Sequence, residues 1–421
     1  MRIREGYWVT VLQGGILDAD NDGGGKTVNK EDDTNVLYDE NLVPDYTLPP
    51  LLETVEGNPV TTAREWSTIR RPQVLSLFSN LVYGHVPLPK DPLETGYSVI
   101  DTVSDFMDGL ATRLTVSMNF SNRNGKAESV LQVFLPNHVK EPVPALLVYS
   151  FSDTRSPDFD PDPERPGLTR QGFPLALVME KGFALVIVDQ SDLVGHNEVE
   201  FGRKSIQHLF YDKGQSFPRA HEWGVISAIA WGGSRALDYL QTLDSVDDRR
   251  VAVMGHSKLG KAALWTAALD ERFALVISAQ SGAAGAALWR RTYGETLEKM
   301  VTRFPYWLCR NAWKFVGNED DLPVDQHMLL ALIAPRPLYV ASGQDDRWAD
   351  PRGEFLSAWH AGEVYRLFGL QGLASEASPP LDAPDMDGSI AYHVRSGGHS
   401  VELYDVRNFL DFATRHLGTT G

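Results

Sequence analysis

The chain has little cysteine, a deficit of basic residues and no long apolar run, and each shortage excludes a class of protein. Of its 421 residues only Cys309 is a cysteine, so neither an intramolecular disulfide nor a thiolate metal cluster can form. Acidic residues outnumber basic ones by 56 to 39, and the formal net charge of -17 argues against binding to a phosphate backbone. No apolar run approaches the length of a membrane span. We therefore expect neither a nucleic-acid partner nor a membrane partner.

The remaining composition is typical of one large domain behind an irregular amino-terminal segment. Residues 1–55 combine a stretch rich in Asp, Asn and Gly with a proline-punctuated one, and we expect this extension to wrap a catalytic domain formed by residues 56–421. The amino terminus also lacks the uninterrupted apolar stretch and the cleavage site of a signal peptide. We expect the protein to act as a monomer.

Hydrophobic periodicity predicts an α/β sheet with two kinds of strand. Alternating segments between residues 97 and 135 predict an antiparallel edge. Continuous apolar runs, and later strand signals followed by helical patterns, predict buried parallel strands. These runs are residues 145–149, 184–188, 251–254, 275–278, 338–342 and 390–394. Because ligands of such sheets bind at the carboxyl ends of the strands, the loops that follow them are the candidate site.

A glycine-bracketed turn carries the candidate nucleophile, Ser257. It lies between a β-branched run and an alanine-rich helical run, which is the pattern of a nucleophile elbow. The usual G-x-S-x-G spacing is not met, because the second glycine comes one residue late, at Gly260. The turn alone therefore also fits a plain strand–turn–helix connection.

Two later loops supply the partners that a serine nucleophile needs. Serine is a weak acid and requires an imidazole to take its proton and a carboxylate to orient that imidazole. His399 follows two glycines, and the preceding loop offers Asp345, Asp346 and Asp350. Asp350 precedes a proline-led helix and is expected to cap it, whereas spacing alone does not choose between Asp345 and Asp346. Serine, aspartate and histidine occur in the order expected of a hydrolase triad on this fold.

Five linked segments resemble the bacterial branch of the glucuronoyl esterases, carbohydrate esterase family fifteen. They are WGVISAIAWGGSRALDYL at 223–240, GHSKLGKAALW at 255–265, SGAAGAALWRRTYGE at 281–295, DDRWADPRGEF at 345–355 and GGH at 397–399. The resemblance covers roughly residues 35–418. It implies an α/β-hydrolase fold, a three-layer αβα sandwich with a mostly parallel central sheet and an antiparallel amino-terminal edge.

The resemblance also implies catalytic roles. Ser257 matches the family nucleophile and His399 the base, and the late Gly260 fits the family pattern G-x-S-R-x-G-K. The family acid is either a glutamate after the 275 strand, where this chain has Gln280, or an aspartate two residues before a tryptophan. The second position is Asp346, which we therefore expect to be the acid.

Three further residues match positions that contact the uronic acid. Lys261 and Glu295 correspond to polar contacts to the sugar, and Trp348 corresponds to a wall of its pocket. Simpler structural roles are also compatible with the sequence: Lys261 can solvate the start of a helix, and Glu295 can pair with Arg290 or Arg291.

Lys258 departs from the family, which has an arginine after the nucleophile to aid the oxyanion. Lysine keeps the charge but loses the planar fork of donors. The resemblance implies a secreted or periplasmic serine esterase without metal or other cofactor. It would cleave the ester between 4-O-methyl-glucuronic acid of glucuronoxylan and lignin-type alcohols through an acyl-enzyme. An acetyl-xylan or general carboxylesterase would use the same chemistry, and Lys258 with Gln280 leaves a carbohydrate-binding pseudoenzyme open.

Overall fold

A nine-stranded sheet runs through the computed structural model, which describes residues 36–151, 173–194 and 205–418. The strands are β1 (Glu94–Asp105), β2 (Ala111–Asn122), β3 (Gly125–Pro136), β4 (Val143–Ser150), β5 (Ala184–Asp189), β6 (Val246–His256), β7 (Leu275–Ala279), β8 (Leu338–Gly343) and β9 (Ile390–Arg395). Their order across the sheet is β1-β2-β3-β5-β4-β6-β7-β8-β9. Strands β1 to β3 pair antiparallel and β3 meets β5 antiparallel, whereas β4 to β9 pair parallel. The predicted mostly parallel sheet with an antiparallel edge is confirmed.

Helices follow most of the parallel strands. Those of six or more residues within the described ranges are α1 (Arg71–Leu81), α2 (Leu175–Glu180), α3 (Val225–Leu240), α4 (Lys258–Leu269), α5 (Leu297–Arg303), α6 (Gln326–Ala331), α7 (Pro351–Leu367) and α8 (Leu403–Leu417). The other helical segments of the described ranges are Ala63–Glu65, Phe106–Gly109, Gln190–Leu193, the π-helical Trp66–Arg70, and the 3-10 segments Glu40–Leu42, Ile206–Phe210, Trp289–Arg291, Arg310–Phe315, Glu319–Asp321 and Arg347–Ala349.

The parallel part of the sheet is buried on both faces, which is why its strands are continuously apolar. In β6, Val251 and Val253 point into one hydrophobic cluster, while Ala252 and Met254 point into the other. Helices α1, α3, α4, α5, α6 and α7 supply the first cluster, and α2 and α8 supply the second. Two helical layers therefore enclose the sheet, as predicted for a three-layer sandwich.

The amino-terminal extension is described from residue 36 onward. Residues Leu37–Gly421 form one compact unit by their contacts, and the remainder of the predicted extension, residues 1–35, lies outside the described residues. Cys309 is buried, as its apolar neighbours suggest, and burial raises the pKa of its thiol. In the part of the chain that the structure describes, no helix has the length and apolarity to cross a membrane.

Three polar loops leave the same edge of the sheet. Strand β6 ends at His256, β8 at Gly343 and β9 at Arg395, and the intervening β7 pairs with both β6 and β8. Because these strands are parallel, the residues that follow them emerge side by side. The sheet therefore brings the three predicted triad segments together.

Candidate active site

Ser257 occupies a strained turn between a strand and a helix. Its backbone angles are φ 57° and ψ -128°, a region that non-glycine residues rarely adopt. Its N–H donates to the carbonyl of Ala279 at the end of the neighbouring strand, at 2.9 Å. Helix α4 begins at the next residue, Lys258. The strand–turn–helix geometry is that of a nucleophile elbow.

The late glycine has a packing reason. A Cβ atom on Gly260 would lie 2.9 Å from Cβ of Ser281 and 3.2 Å from the Ala279 carbonyl oxygen. At Gly255 it would lie 1.9 Å from the Leu259 carbonyl oxygen. Both glycines therefore let backbone segments approach closely, and Gly260 packs the first turn of α4 against the loop after β7.

His399 and Asp346 form a short hydrogen bond. Nδ1 of His399 lies 2.6 Å from Oδ2 of Asp346, and the side chains are 41% and 4% exposed respectively. Asp345 is exposed, and its backbone N–H donates to the Gly397 carbonyl. Of the two aspartates that spacing left open, the structure pairs Asp346 with the histidine.

A second histidine, which sequence reasoning missed, links His399 to the elbow. The rings of His256 and His399 have centroids 4.5 Å apart. Nε2 of His256 lies 3.0 Å from Oε1 of Gln280, whose Nε2 donates to the Gly398 carbonyl at 3.3 Å. The amide oxygen must accept, so Nε2 of His256 carries the proton. Burial lowers the pKa of His256 to about 4, so the ring is neutral.

Gln280 bridges the elbow and the loop that carries His399. It occupies the position of the family's alternative acid, yet its side chain binds His256 and the backbone of Gly398. An amide cannot ionise, and here it connects the elbow to the loop that carries His399. The adjacency of His256 to Ser257 in the sequence was the available signal for this link.

Lys261 and Glu295 form a buried ion pair. The ammonium nitrogen of Lys261 lies 2.8 Å from Oε2 of Glu295, and the side chains are 3% and 5% exposed. It also donates to the carbonyls of Ser281 at 2.7 Å and Ala283 at 2.5 Å. All three ammonium donors are thus used, and the alternative of a solvated lysine at the helix start is wrong. Lys261 fixes both Glu295 and the loop after β7.

The two neighbouring arginines have other partners. Arg290 donates to Asp325, and Arg291 donates to Asp350 at 2.8 Å, so the alternative pairing of either with Glu295 is wrong. Asp350 also accepts from the Gly353 N–H at 3.0 Å at the start of α7, which confirms the predicted cap. These contacts hold the loop between β8 and α7 in place.

A buried glutamate that the sequence did not reveal supports the loop after β7. Oε1 of Glu354 accepts from the N–H groups of Ser281 at 2.7 Å and Gly282 at 3.0 Å, and Oε2 accepts from the hydroxyl of Ser342 at 2.6 Å. Burial raises the pKa of Glu354 to about 8. Its position inside α7, on the apolar face, was the only signal in the sequence.

Arg395 anchors the loop that carries His399. Its guanidinium donates to the carbonyls of Ser396 at 2.6 Å and Gly398 at 3.1 Å, and to the hydroxyl and carbonyl of Ser400. Its Nε donates to Asp405 at 2.8 Å. The planar fork thus binds the loop on both sides of the histidine.

Aromatic side chains lie near the residues of the candidate triad and its neighbours. Trp348 is half-buried, with the Arg303 guanidinium 4.7 Å from its ring centre. The ammonium of Lys258 lies 5.3 Å from the ring centre of Trp307 and 5.5 Å from that of Phe151. Lys258 thus stands beside the nucleophile among aromatic rings.

An open depression of about 290 Å³ lies at the Trp348 side. It is lined by Tyr38, Asp345, Asp346, Arg347, Trp348 and His399. Sequence reasoning missed Tyr38, which precedes the hydrolase sheet and belongs to none of the motifs. Within the described residues, no group of three or more His, Cys, Asp or Glu side chains is placed to hold a metal ion.

Known proteins similar to this chain are esterases that act on carbohydrates. A family model described as glucuronyl esterase, fungi, matches residues 118–369. A carbohydrate esterase of an unknown prokaryotic organism is 36% identical over 403 residues, which are 90% of this chain and 92% of that protein. A 4-O-methyl-glucuronoyl methylesterase of Phanerochaete carnosa is 28% identical, covering 80% of this chain and 74% of that protein. The solved structure of a glucuronoyl esterase from Solibacter usitatus is 38% identical with a TM-score of 0.82, covering 89% of this chain and 99% of that chain.

Proposed function

We propose, because the chain belongs to the glucuronoyl esterase family, that Ser257, His399 and Asp346 hydrolyse the ester of 4-O-methyl-glucuronic acid in glucuronoxylan. The observation that carries the assignment is the 2.6 Å bond between His399 and Asp346, beside the strained turn at Ser257. The family and the α/β-hydrolase fold, both predicted from sequence motifs, are confirmed. The protein is a carboxylic ester hydrolase.

The proposed reaction has two halves. Nε2 of His399 takes the proton of the Ser257 hydroxyl while Oγ attacks the ester carbonyl, and Asp346 stabilises the imidazolium through Nδ1. The imidazolium then gives its proton to the departing alcohol, which leaves an acyl-enzyme. In the second half His399 activates a water that attacks the acyl carbon, and the uronic acid departs with Ser257 restored.

Charge that develops on the carbonyl oxygen needs donors next to Ser257. Lys258 occupies the first position of α4, where its backbone N–H and the positive end of the helix both lie beside the nucleophile. We assign its ammonium to the same oxyanion. Since an ammonium is a point charge, it orients the oxygen less than a guanidinium fork does.

We assign the uronic acid to the side of the site where Glu295 and Trp348 lie, with Lys261 paired to Glu295. Glu295 can accept hydrogen bonds from sugar hydroxyls, and Lys261 neutralises its charge at 2.8 Å. Trp348 offers an aromatic wall, and its carbonyl accepts the Glu295 N–H at 2.8 Å, so wall and carboxylate are set relative to each other. A lignin-type alcohol is the proposed leaving group.

We further propose that the enzyme works as a monomer, either secreted or in the periplasm. Glucuronoxylan is a polymer that does not enter cells, so an enzyme that cleaves its esters must meet it outside the cytoplasm. All three proposed triad residues come from one chain, which requires no second copy.

Hydrolysis of benzyl glucuronate by the wild type and by Ser257→Ala tests the proposal. We expect turnover by the wild type and its loss in the variant, because no other group takes the place of Oγ. An acetylated xylose measured in parallel tests the broader alternative, which one relative's name, carbohydrate esterase, leaves open. Faster cleavage of the acetate would contradict the uronate assignment. Binding of glucuronoxylan with no hydrolysis of either ester would indicate a pseudoenzyme.

A further inference from the structure

A second histidine–aspartate pair lies buried next to the loop that carries His399. Nε2 of His393, in β9, lies 2.7 Å from Oδ1 of Asp405, in the first turn of α8. The two side chains are 0% and 2% exposed. Substrate cannot reach a pair this deeply buried, so a second hydrolytic centre is excluded. The role of the pair must lie in what it holds in place.

Hydrogen bonds determine the protonation of this pair. The hydroxyl of Tyr339 lies 2.8 Å from Nδ1 of His393. Burial raises the pKa of Tyr339 well above its ordinary value, so the hydroxyl keeps its proton and donates it to Nδ1. Nε2 therefore carries the ring proton that Asp405 accepts. Burial acts to raise the pKa of Asp405, but the hydrogen bond from His393 outweighs burial and holds this pKa below its ordinary value. The carboxylate is therefore charged.

The second oxygen of Asp405 faces the loop that carries the candidate base. Oδ2 accepts from Nε of Arg395 at 2.8 Å and from the Glu402 N–H at 2.6 Å. Glu402 is the residue before α8, and its carboxylate accepts from the hydroxyl of Ser400 at 2.6 Å. One buried carboxylate thus joins the start of α8 to the guanidinium that binds the carbonyls on both sides of His399.

Asp405 also determines how the guanidinium of Arg395 is oriented. The arginine side chain is 4% exposed, and a buried cation requires an anionic partner. Because the carboxylate occupies Nε, the terminal nitrogens are directed at the loop. Nη1 donates to the Ser396 carbonyl at 2.6 Å, and Nη2 donates to the Gly398 carbonyl at 3.1 Å and to the Ser400 hydroxyl at 2.9 Å. The planar fork can make these contacts together only in this orientation.

We propose that Asp405 is a positioning residue for the base His399: His393 orients the Asp405 carboxylate, and the carboxylate orients Arg395, which holds the loop. This inference rests on the proposed function, since it needs His399 to act as the base. It predicts that removing the Asp405 charge slows the chemical step, and that the effect passes through Arg395. A purely structural Asp405 would instead lower stability and leave the rate per folded molecule unchanged.

A double-mutant cycle between Asp405→Asn and Arg395→Lys tests the proposal. The amide has the shape of the carboxylate, and His393 can take its other tautomer to accept from the amide. With benzyl glucuronate we expect Asp405→Asn to lower kcat about tenfold, with KM changed less than about twofold. In the Arg395→Lys background the same change should cost less than about threefold, because the guanidinium through which it acts is gone.

Asp411→Asn is the matched control on the same helix. Asp411 is 49% exposed and pairs with Lys181 at the surface, 2.7 Å away. Its amide variant should keep kcat within about twofold. Losses that multiply in the double variant of Asp405 and Arg395 would overturn the proposal, because the two residues would then act independently. A lower Tm of Asp405→Asn with an unchanged kcat would also overturn it.

Labelling of Ser257 by diisopropyl fluorophosphate, followed by intact-mass measurement, reports the action of His399 without a sugar ester. We expect Asp405→Asn to be labelled about tenfold more slowly than the wild type and Asp411→Asn at the wild-type rate. A wild type that is labelled but cleaves no uronate ester contradicts the proposed substrate, and the labelling rates then decide the positioning role by themselves. Equal labelling of wild type and Asp405→Asn overturns the positioning role alone.

His393→Leu combined with Tyr339→Phe covers the case in which Asp405→Asn does not fold. Replacing both partners of a buried hydrogen bond by apolar groups costs little stability. The double variant leaves the Asp405 charge and its bond to Arg395 in place but removes the donor to Oδ1. We expect kcat to fall at least about threefold, because the carboxylate is then held through one oxygen only. An unchanged kcat would overturn the proposal, since His393 would then not orient Asp405.

Discussion

Replacing Asp346 by asparagine removes the charge from the contact between Asp346 and His399. The carboxylate is 4% exposed and lies 2.6 Å from Nδ1 of His399, so water cannot replace it. A hydrogen bond to a charged partner contributes about 1.5–3 kcal/mol, and losing it lowers the rate roughly 10- to 150-fold. The new amide can also donate to Nδ1, which moves the ring proton to Nε2, where it blocks proton transfer from Ser257. That tautomer raises the expected loss to about 10,000-fold.

The assay is steady-state hydrolysis of benzyl glucuronate, with Asp345→Asn as the matched control. We expect Asp346→Asn to lose about 100- to 10,000-fold in kcat/KM. Asp345 carries the same charge one residue away but is exposed, so its amide variant should lose less than about threefold. A hundredfold loss in Asp345→Asn, with Asp346→Asn nearly intact, would refute the assignment of the acid. Small effects in both variants would show that neither aspartate orients the base.

Substitutions at three other positions test the groups around the triad. Burial raises the pKa of Glu354 to about 8 from its ordinary 4.5. Between these two pH values the folded protein retains a proton that the unfolded chain releases, so the folded state loses stability as the pH rises from about 4.5 to about 8. The wild-type Tm should therefore fall between pH 5 and pH 8 more than that of Glu354→Gln, and equal slopes would contradict the assignment of this group. Lys258→Arg should raise kcat a few-fold on benzyl glucuronate, whereas Lys258→Met should lower it about 100-fold; equal rates in both would exclude an oxyanion role. Arg395→Lys should lower kcat at least about tenfold with little change in KM, because lysine cannot bind the loop on both sides of His399. An unaltered kcat would show that this loop keeps its position without the Arg395 contacts.

The local sequence pattern was sufficient to predict the parallel strands because these strands are buried on both faces. A strand covered by helices on each side must be apolar at every position, and that signal is strong in runs such as 184–188 and 338–342. Chain direction then placed the loops after β6, β8 and β9 at one edge. The segments that carry Ser257, Asp346 and His399 therefore lie close together because they follow parallel strands of one sheet.

What could not be predicted depends on contacts between distant residues. Glu354 and Arg395 have the composition of surface residues, and only their buried partners reveal that they support loops. Tyr38 is 309 residues from Arg347, and no periodic pattern connects them. The choice between Asp345 and Asp346 rests on one turn of 3-10 helix, Arg347–Ala349, which directs the second aspartate inward.

The backbone conformation of Ser257 costs stability at the same position where it presents the candidate nucleophile. Its φ of 57° suits glycine and disfavours any side chain by about 1–3 kcal/mol, so the surrounding strand, helix and close-packed glycines must hold it there. A glycine at 257 would relax this conformation and leave a protein that resists heat better but has no nucleophile. A search for thermostable variants that selects for melting temperature alone would therefore favour loss of the Ser257 hydroxyl, and with it loss of the nucleophile.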